Sequence, residues 1–391
     1  MLSFISRFFC ENNNLIGKRT MDTVILFSFF NSNNIGDKAI SETFLKNLSE
    51  KFKVIRCSNE GDFNVYNKYV GENLGIFERV KRKLLILCGK NYFSPRYKKF
   101  MKQYEEYLKD CKAVVIGGGN ILMDYSEKTN SHKKLNEYIK IANEKGRKCY
   151  ALSVGIGPFA TEKQLENAVK TLEGCEYVSF RDKASYDLFI KGGGNPEKAK
   201  ISIDPVFTLP YDGTKRKSDN IIAVNIVKPS WYGESYQEKT IDDYSRFIGF
   251  LAKRYPEKDI VLFSTETNDN EGMNRVFDAN KNEKNVSLRQ IGSIDELRDF
   301  YSRCSLVIGA RMHSLIIAYS CRIPVTGLSW TSKVSEFFRI IGKPHRYVDL
   351  KALGGSFEKI CKISEAEEDW DFDLLIKKAE ELLKKDLEEI A

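Results

Sequence analysis

Short apolar runs rich in β-branched residues recur along the chain, and the stretches between them carry apolar positions every three or four residues. The first pattern predicts buried strands at Thr23–Phe29, Ala113–Ile116, Cys149–Val154, Tyr177–Phe180 and Ile201–Ile203. The second predicts helices over Ala39–Lys51, Asn136–Lys145, Glu162–Leu172 and Lys183–Ile190. A polar stretch, "LPYDGTKRKSDN" from Leu209 to Asn220, interrupts this rhythm. It then restarts with strands at Ile221–Val227, Asp259–Thr265, Leu306–Ile308 and Val325–Ser329. Their companion helices are Ile241–Arg254, Asn270–Asn280, Ile294–Ser302, Ser314–Cys321 and Val334–Ile341. Beyond Trp370, Leu374, Leu375, Ala379, Leu382 and Leu383 form one stripe of an amphipathic helix. Alternating strands and helices predict parallel sheets with crossover helices, an α/β protein of two Rossmann-like domains. The segments expected are an extension over 1–21, an N-terminal α/β domain over 22–210, a C-terminal α/β domain over 211–368, and a final helix over 369–391.

Composition narrows the class. A chain of 391 residues exceeds what one ordinary core supports. Its 42% hydrophobic and 30% charged residues suit a water-soluble protein, and no apolar run reaches the length of a membrane span. The opening "MLSFISRFFCENNN" lacks the small-residue cleavage site of a signal peptide, and Met21 heads a cleaner domain start. Nine cysteines, an odd number without any C-x-x-C pair, point to buried thiols in a reducing cytoplasm rather than to disulfides or zinc. The net charge of +8 is concentrated in "RVKRKLLILCGKNYFSPRYKKFMK", Arg79 to Lys102, which holds no acidic residue. That run suits either a solvated surface or peripheral contact with an anionic membrane face. No recognised nucleic-acid motif accompanies it, so no nucleic-acid partner is expected.

Open α/β sheets collect ligands at the carboxyl ends of their strands, so the residues that follow each strand carry the candidate chemistry. The first strand runs into Asn34, Gly36 and Asp37. The second runs into "GGGN", with Gly118, Gly119 and Asn120, and the third into Gly155 and Gly157. Glycines there let backbone N–H groups approach an anion, with a helix dipole behind them. None of these turns has dinucleotide-fingerprint or P-loop spacing. Arg181 follows the fourth strand. In the second half "GARMHS" brings Arg311 and His313 to a strand end, and "SWTSK" brings Lys333. Arginine offers a fixed fork, lysine a point charge and histidine a proton near neutral pH. Together they predict a site for a small polyanion with a general acid beside it. His313 is one of only three histidines; His132 and His345 sit in polar contexts and read as surface residues. "DWDFD" at Asp369–Asp373 precedes the last helix, where acidic residues favour the positive end, so no metal site is expected there.

"NNIGDKAI", "VVIGGGNILMD", "SVGIGP", "FRDKAS", "IDPVF", "IGARMHSLIIA", "IPVTGLS" and "KVSEFF" follow one another over Thr23 to Gly342. Taken in this order they resemble the polysaccharide pyruvyl transferase family. Trp330 stands where a tyrosine is common, and "TSK" replaces a Pro-Lys pair. The resemblance implies a fold similar to the B-type glycosyltransferases, with the active site between the domains. It also implies transfer of pyruvate from phosphoenolpyruvate onto two hydroxyls of one sugar as a cyclic ketal, in making a bacterial surface polysaccharide or cell-wall precursor. No cofactor is expected, and phosphoenolpyruvate serves as donor. The N-terminal domain would face the acceptor and the C-terminal domain the donor. His313 and Arg311 would be catalytic, with Arg181, Lys333 and the glycine and asparagine turns binding substrate. The acceptor sugar would be carried on a polyprenyl diphosphate, on a nucleotide or in a free glycan, with the enzyme at the inner face of the membrane in the first case. A nucleotide-sugar glycosyltransferase and a non-catalytic glycan-binding protein are the alternative readings of the same fold.

Overall fold

The computed structural model describes residues 21–58, 95–209, 220–228 and 234–390. The apolar runs of the first half form β1 (Thr23–Ser28), β2 (Lys53–Ser58), β3 (Cys111–Asp124), β4 (Lys148–Phe159), β5 (Tyr177–Phe180) and β6 (Ala199–Ile201). Those of the second half form β7 (Ile221–Asn225), β8 (Asp259–Phe263), β9 (Val286–Arg289), β10 (Cys304–Gly309), β11 (Val325–Ser329) and β12 (Tyr347–Asp349). They assemble into two six-stranded sheets, β2-β1-β3-β4-β5-β6 and β12-β11-β10-β7-β8-β9. All neighbouring strands are parallel. Parallel strands are covered by helices on both faces, which is why β1 and β7 read as unbroken apolar runs. Strand order reverses between β1 and β3 in one sheet and between β7 and β10 in the other, and ligands of such sheets bind at these switch points.

The crossover helices of the first half are α1 (Ile35–Ser49), α2 (Pro95–Asp110), α3 (His132–Glu144), α4 (Glu162–Leu172) and α5 (Lys183–Lys191). The second half supplies α6 (Glu234–Arg254), α7 (Asn270–Asn280), α8 (Ile294–Tyr301), α9 (Met312–Ser320), α10 (Ser332–Ile340), α11 (Phe357–Glu365) and α12 (Phe372–Glu388). Local chemistry sets their starts. Thr161 and Gln164 form a reciprocal capping box at α4, and Asn34, Asp182 and Ser293 each accept a backbone N–H at the starts of α1, α5 and α8.

The structure differs from the sequence reading in several places. β2, β9, β12, α2 and α11 carry too little pattern to stand out: the strands are short edge or near-edge elements, and α2 lies under a run dominated by charge. The last strand of the first sheet is Ala199–Ile201, two residues earlier than expected, because Asp204 and Pro205 open a tight 3-10 turn over Pro205–Thr208. The glycines after the second and third strands are not loops. β3 continues through Gly118 and Gly119, which adopt φ of 60° and 75°, a region that costs glycine nothing. A Cβ at Gly118 would stand 2.3 Å from Ile40, and one at Gly119 2.4 Å from Phe29, so the strand needs glycine to lie against α1 and the β1 loop.

A single apolar cluster spans both halves, joining Val24, Ala39 and Phe44 to Leu315, Tyr319 and Phe337. Phe207, on the 3-10 turn, stacks on Phe337 at 6.1 Å and meets Tyr319 edge-on. The final helix crosses back to the first sheet. Its Asp386 accepts hydroxyl bonds from Ser179 (2.7 Å), Ser202 (2.7 Å) and Ser153 (3.1 Å) on one oxygen, and from Tyr177 (3.0 Å) on the other. Burial raises the Asp386 pKa while the four donors pull it down. Asp386→Ala leaves the buried Ser179 and Ser202 hydroxyls and the half-buried Tyr177 hydroxyl without this acceptor, while Ser153 keeps the Ser202 oxygen at 3.4 Å. At about 1–3 kcal/mol for each buried group left unpaired, the Ser179 and Ser202 hydroxyls alone predict a loss of roughly 2–6 kcal/mol, read as a lower denaturation midpoint. Asp386→Asn, which keeps an acceptor, should lose less.

The seven described cysteines are buried and free of disulfides, and among the described residues no helix is long and apolar enough to cross a membrane. The extension over 1–20, the interdomain stretch 210–219 and most of the basic run, residues 79–94, lie outside the described residues. From residue 95 that run enters α2, whose Met101, Tyr104 and Leu108 are buried.

Candidate functional site

At the carboxyl ends of the two sheets a cleft of about 240 Å³ opens between the halves. Asn34, Asp37, Asn120 and Arg181 line it from the first half, with Phe29, Met123 and Tyr125. Glu266, Arg311, His313, Trp330 and Lys333 line it from the second. The four basic groups singled out at strand ends therefore meet in one place, together with the polar residues after β1 and within β3.

Arg181 follows β5 with its side chain 4% exposed. Its Nη1 donates to Asp204 Oδ2 at 3.2 Å, whereas Nε has no hydrogen-bond partner and stands 3.5 Å from Asp182 Oδ2. Gly155 backs the guanidinium so closely that a Cβ there would fall 3.0 Å from Nε. Asp204 ends the chain segment after β6. Its Oδ1 accepts from Val206 N–H, and its Oδ2 faces both Arg181 and His313, whose Nε2 is 3.3 Å away. Burial would raise the Asp204 pKa, but His313 and Arg181 overcome it and hold this carboxyl below its ordinary value. A buried anion thus couples a histidine of one half to an arginine of the other.

His313 lies in the first turn of α9. Its other side is closed by Gly36, where a Cβ would sit 2.2 Å from Nδ1. Gly36 donates its N–H to Asn34 Oδ1 at 2.8 Å, so its contribution to the cleft is space for the imidazole. Arg311, at the N-cap of α9, gives Nε and Nη2 to the fully buried Asp269 at 2.7 and 2.9 Å, and lies 5.6 Å from the Trp330 ring centroid. Asn225 accepts its backbone N–H. With Nε–H and one Nη2–H committed to Asp269, Arg311 keeps three N–H groups, two on Nη1 and one on Nη2, for a ligand. Lys333 opens α10 and is half-buried. Desolvation, reinforced by Arg181 and Arg311 and opposed by Asp37 and Asp182, pushes its pKa down to about 8.

The remaining glycines serve the frame. Gly118 and Gly119 pack on Ile40 and Phe29, and the Gly157 carbonyl accepts from Asn120 Nδ2 at 2.7 Å, tying β3 to β4. His345 is exposed and binds Glu368, but His132 is half-buried, with Nδ1 unpartnered and its pKa lowered by burial. "DWDFD" does enter a helix at Phe372, and Asp373 pairs with Arg322. No group of three or more potential metal ligands occurs among the described residues. Sequence reading missed Glu266, Asp269 and the coupling role of Asp204. Asp204 was visible as a strand-end residue; Glu266 and Asp269 sit in "STETNDNEG", a polar run indistinguishable from an ordinary loop.

The family model described as "Polysaccharide pyruvyl transferase" matches residues 34–332. Among solved structures, the chain is similar to UDP-GlcNAc 2-epimerase from Methanocaldococcus jannaschii, with TM-score 0.59 and 14% identity over 93% of this chain and 98% of that one. It is similar also to HepE of Anabaena in complex with UDP and glucose, with TM-score 0.55 and 11% identity over 95% and 99%. UDP-GlcNAc 2-epimerase from Neisseria meningitidis bound to UDP-GlcNAc gives TM-score 0.54 and 13% identity over 93% and 100%. These likenesses establish a two-domain, GT-B-like α/β fold.

Proposed function

The chain belongs to the polysaccharide pyruvyl transferase family, and from that premise we propose that it takes pyruvate from phosphoenolpyruvate and closes it as a cyclic ketal on two hydroxyls of a sugar. The observation that carries this reading is the convergence of Arg181, Lys333, Arg311 and His313 on one cleft between the halves. Phosphoenolpyruvate is small and bears a phosphate and a carboxylate, which call for several cationic anchors in a desolvated place.

Arg181 and Lys333 hold the phosphate, and Arg311, through Nη1, the carboxylate. His313 protonates the methylene carbon, and the first sugar hydroxyl bonds to the neighbouring carbon. The C–O bond to phosphate then breaks, and the second hydroxyl closes the ring. Asp204, kept ionised, orients the imidazole and the Arg181 fork together. Tyr125, 44% exposed, and Met123 offer an apolar wall for the sugar on the first half.

The test incubates the protein with phosphoenolpyruvate and a panel of polyprenyl-diphosphate-linked, nucleotide-linked and free sugars, with mass spectrometry following the gain of one pyruvyl group. Transfer to any of them supports the reading. Protection from heat by a nucleotide sugar but not by phosphoenolpyruvate would overturn it in favour of glycosyl transfer. A further expectation concerns pH. Below about 8 Lys333 is charged and above it neutral, so donor affinity should fall between pH 7 and pH 9. One charge-assisted bond is worth about 1.5–3 kcal/mol, roughly a tenfold or greater loss. Lys333→Arg, which stays charged, should flatten that dependence in calorimetric titrations.

A further inference from the structure

We propose that Glu266 is the general base that takes the proton from the sugar hydroxyl as it attacks the donor carbon. This inference rests on the pyruvyl-transfer reading, which needs two proton-handling groups: one to give a proton to the methylene carbon, and one to remove it from the nucleophile. His313 fills the first role. The second calls for a carboxylate in the cleft that is not already held by a cation.

Few groups qualify. Asp204 is held by His313 and Arg181, Asp269 by the Arg311 fork, and Asp182 caps α5 beside Arg181. Glu266 and Asp37 line the cleft and make no ion pair among the described residues. Asp37 lies in the first turn of α1, where the helix dipole steadies its charge, and it accepts the Ser32 hydroxyl at 3.1 Å. Glu266 accepts the Asn268 side-chain amide on Oε1 at 3.3 Å and is also favoured in its charged form by the Asn268 backbone N–H.

Glu266 is also fixed in register with the acid. Its backbone forms an antiparallel bridge with Asn34 across the two halves, and the adjacent Thr265 carbonyl accepts Ile35 N–H at 2.9 Å. The next residue, Gly36, is the one against which the His313 ring rests. The start of α1 therefore references the acid on one side and the base on the other.

The protons balance. His313 delivers one to the methylene carbon, and Glu266 takes one from the first hydroxyl as its oxygen bonds to the donor carbon. Protonated Glu266 then passes its proton to the departing phosphate as the C–O bond breaks. The second hydroxyl returns its proton to His313 as the ring closes. One donor and one diol yield one ketal and one hydrogen phosphate, with both residues restored. Half-burial raises the Glu266 pKa, with Asp269 and Asp37 adding to it and Arg311 opposing; Arg181, His313 and Lys333 are the other ionisable groups that line the cleft. A base works only when ionised, so turnover should fall on the acid side at a pH above the ordinary glutamate range.

The experiment compares wild type, Glu266→Gln, Glu266→Asp and Asp37→Asn in pyruvyl transfer, with donor affinity measured separately by calorimetry. The expected result is a loss of about 10²-fold or more in Glu266→Gln, donor affinity unchanged, disappearance of the acid limb of the pH profile and partial recovery in Glu266→Asp. Near-normal turnover in Glu266→Gln, or a loss explained by weaker donor binding, overturns the proposal. So does an acid limb that vanishes in Asp37→Asn and persists in Glu266→Gln. Wild type that binds phosphoenolpyruvate yet transfers nothing overturns the underlying reading, and the base role with it.

Discussion

Alanine at His313 is expected to lower the rate of pyruvyl transfer by about 10²–10⁴-fold, the usual worth of one positioned acid, with the fold intact. The fold should survive because the buried Asp204 keeps two partners when the imidazole is gone, Arg181 Nη1 and Val206 N–H. Glutamine is the sharper substitution. It can still donate toward Asp204 but has no proton to release near neutral pH, so it separates chemistry from packing. Single-turnover measurements on His313→Ala and His313→Gln, with donor affinity recorded alongside, decide the matter. Turnover close to wild type in either would remove His313 from the mechanism.

Gly36→Ala should be nearly as damaging, although the residue has no side chain to take part. The new methyl would sit 2.2 Å from His313 Nδ1 and 2.3 Å from its Cβ and Cγ. Ordinary contact lies near 3.4–4 Å, so the ring must move by roughly 1 Å, a displacement that can cost about 10²-fold in rate. Helix propensity favours alanine, but His313 Cβ, 2.3 Å from the new methyl, cannot be moved by a rotamer change, so α1 and α9 must shift apart and thermal stability should fall together with activity. The two substitutions share one target. In a His313→Gly background, which removes the Cβ as well as the ring, Gly36→Ala should cost little more, and full additivity would show that Gly36 acts elsewhere.

The buried strands were legible because a parallel sheet covered on both faces demands continuous apolar runs, and Thr23–Ser28 and Ile221–Asn225 have them. Lys53–Ser58, Val286–Arg289 and Tyr347–Asp349 were not, since a few residues at or near a sheet edge carry no period to count. Gly118 and Gly119 misled in a different way. Glycine reads as a turn, yet here it permits β3 to run beneath Ile40 and Phe29 without breaking. Arg181, Arg311, His313 and Lys333 could be found because a cation at the mouth of an apolar strand is conspicuous. Asp204 and Asp269, which bind those cations, were harder. Aspartate after a strand is common turn chemistry, and only the fold reveals that Asp204 reaches from one half to the imidazole of the other.

The Asp386 socket bears on how the protein is made. Ser153 precedes Asp386 by 233 residues, which at about 5–20 residues per second of ribosomal synthesis is a wait on the order of 10–50 s. For most of that interval Ser153, Tyr177, Ser179 and Ser202 belong to a nascent first half whose acceptor has not yet been translated. The first half therefore lacks this acceptor until α12 has been made and docks.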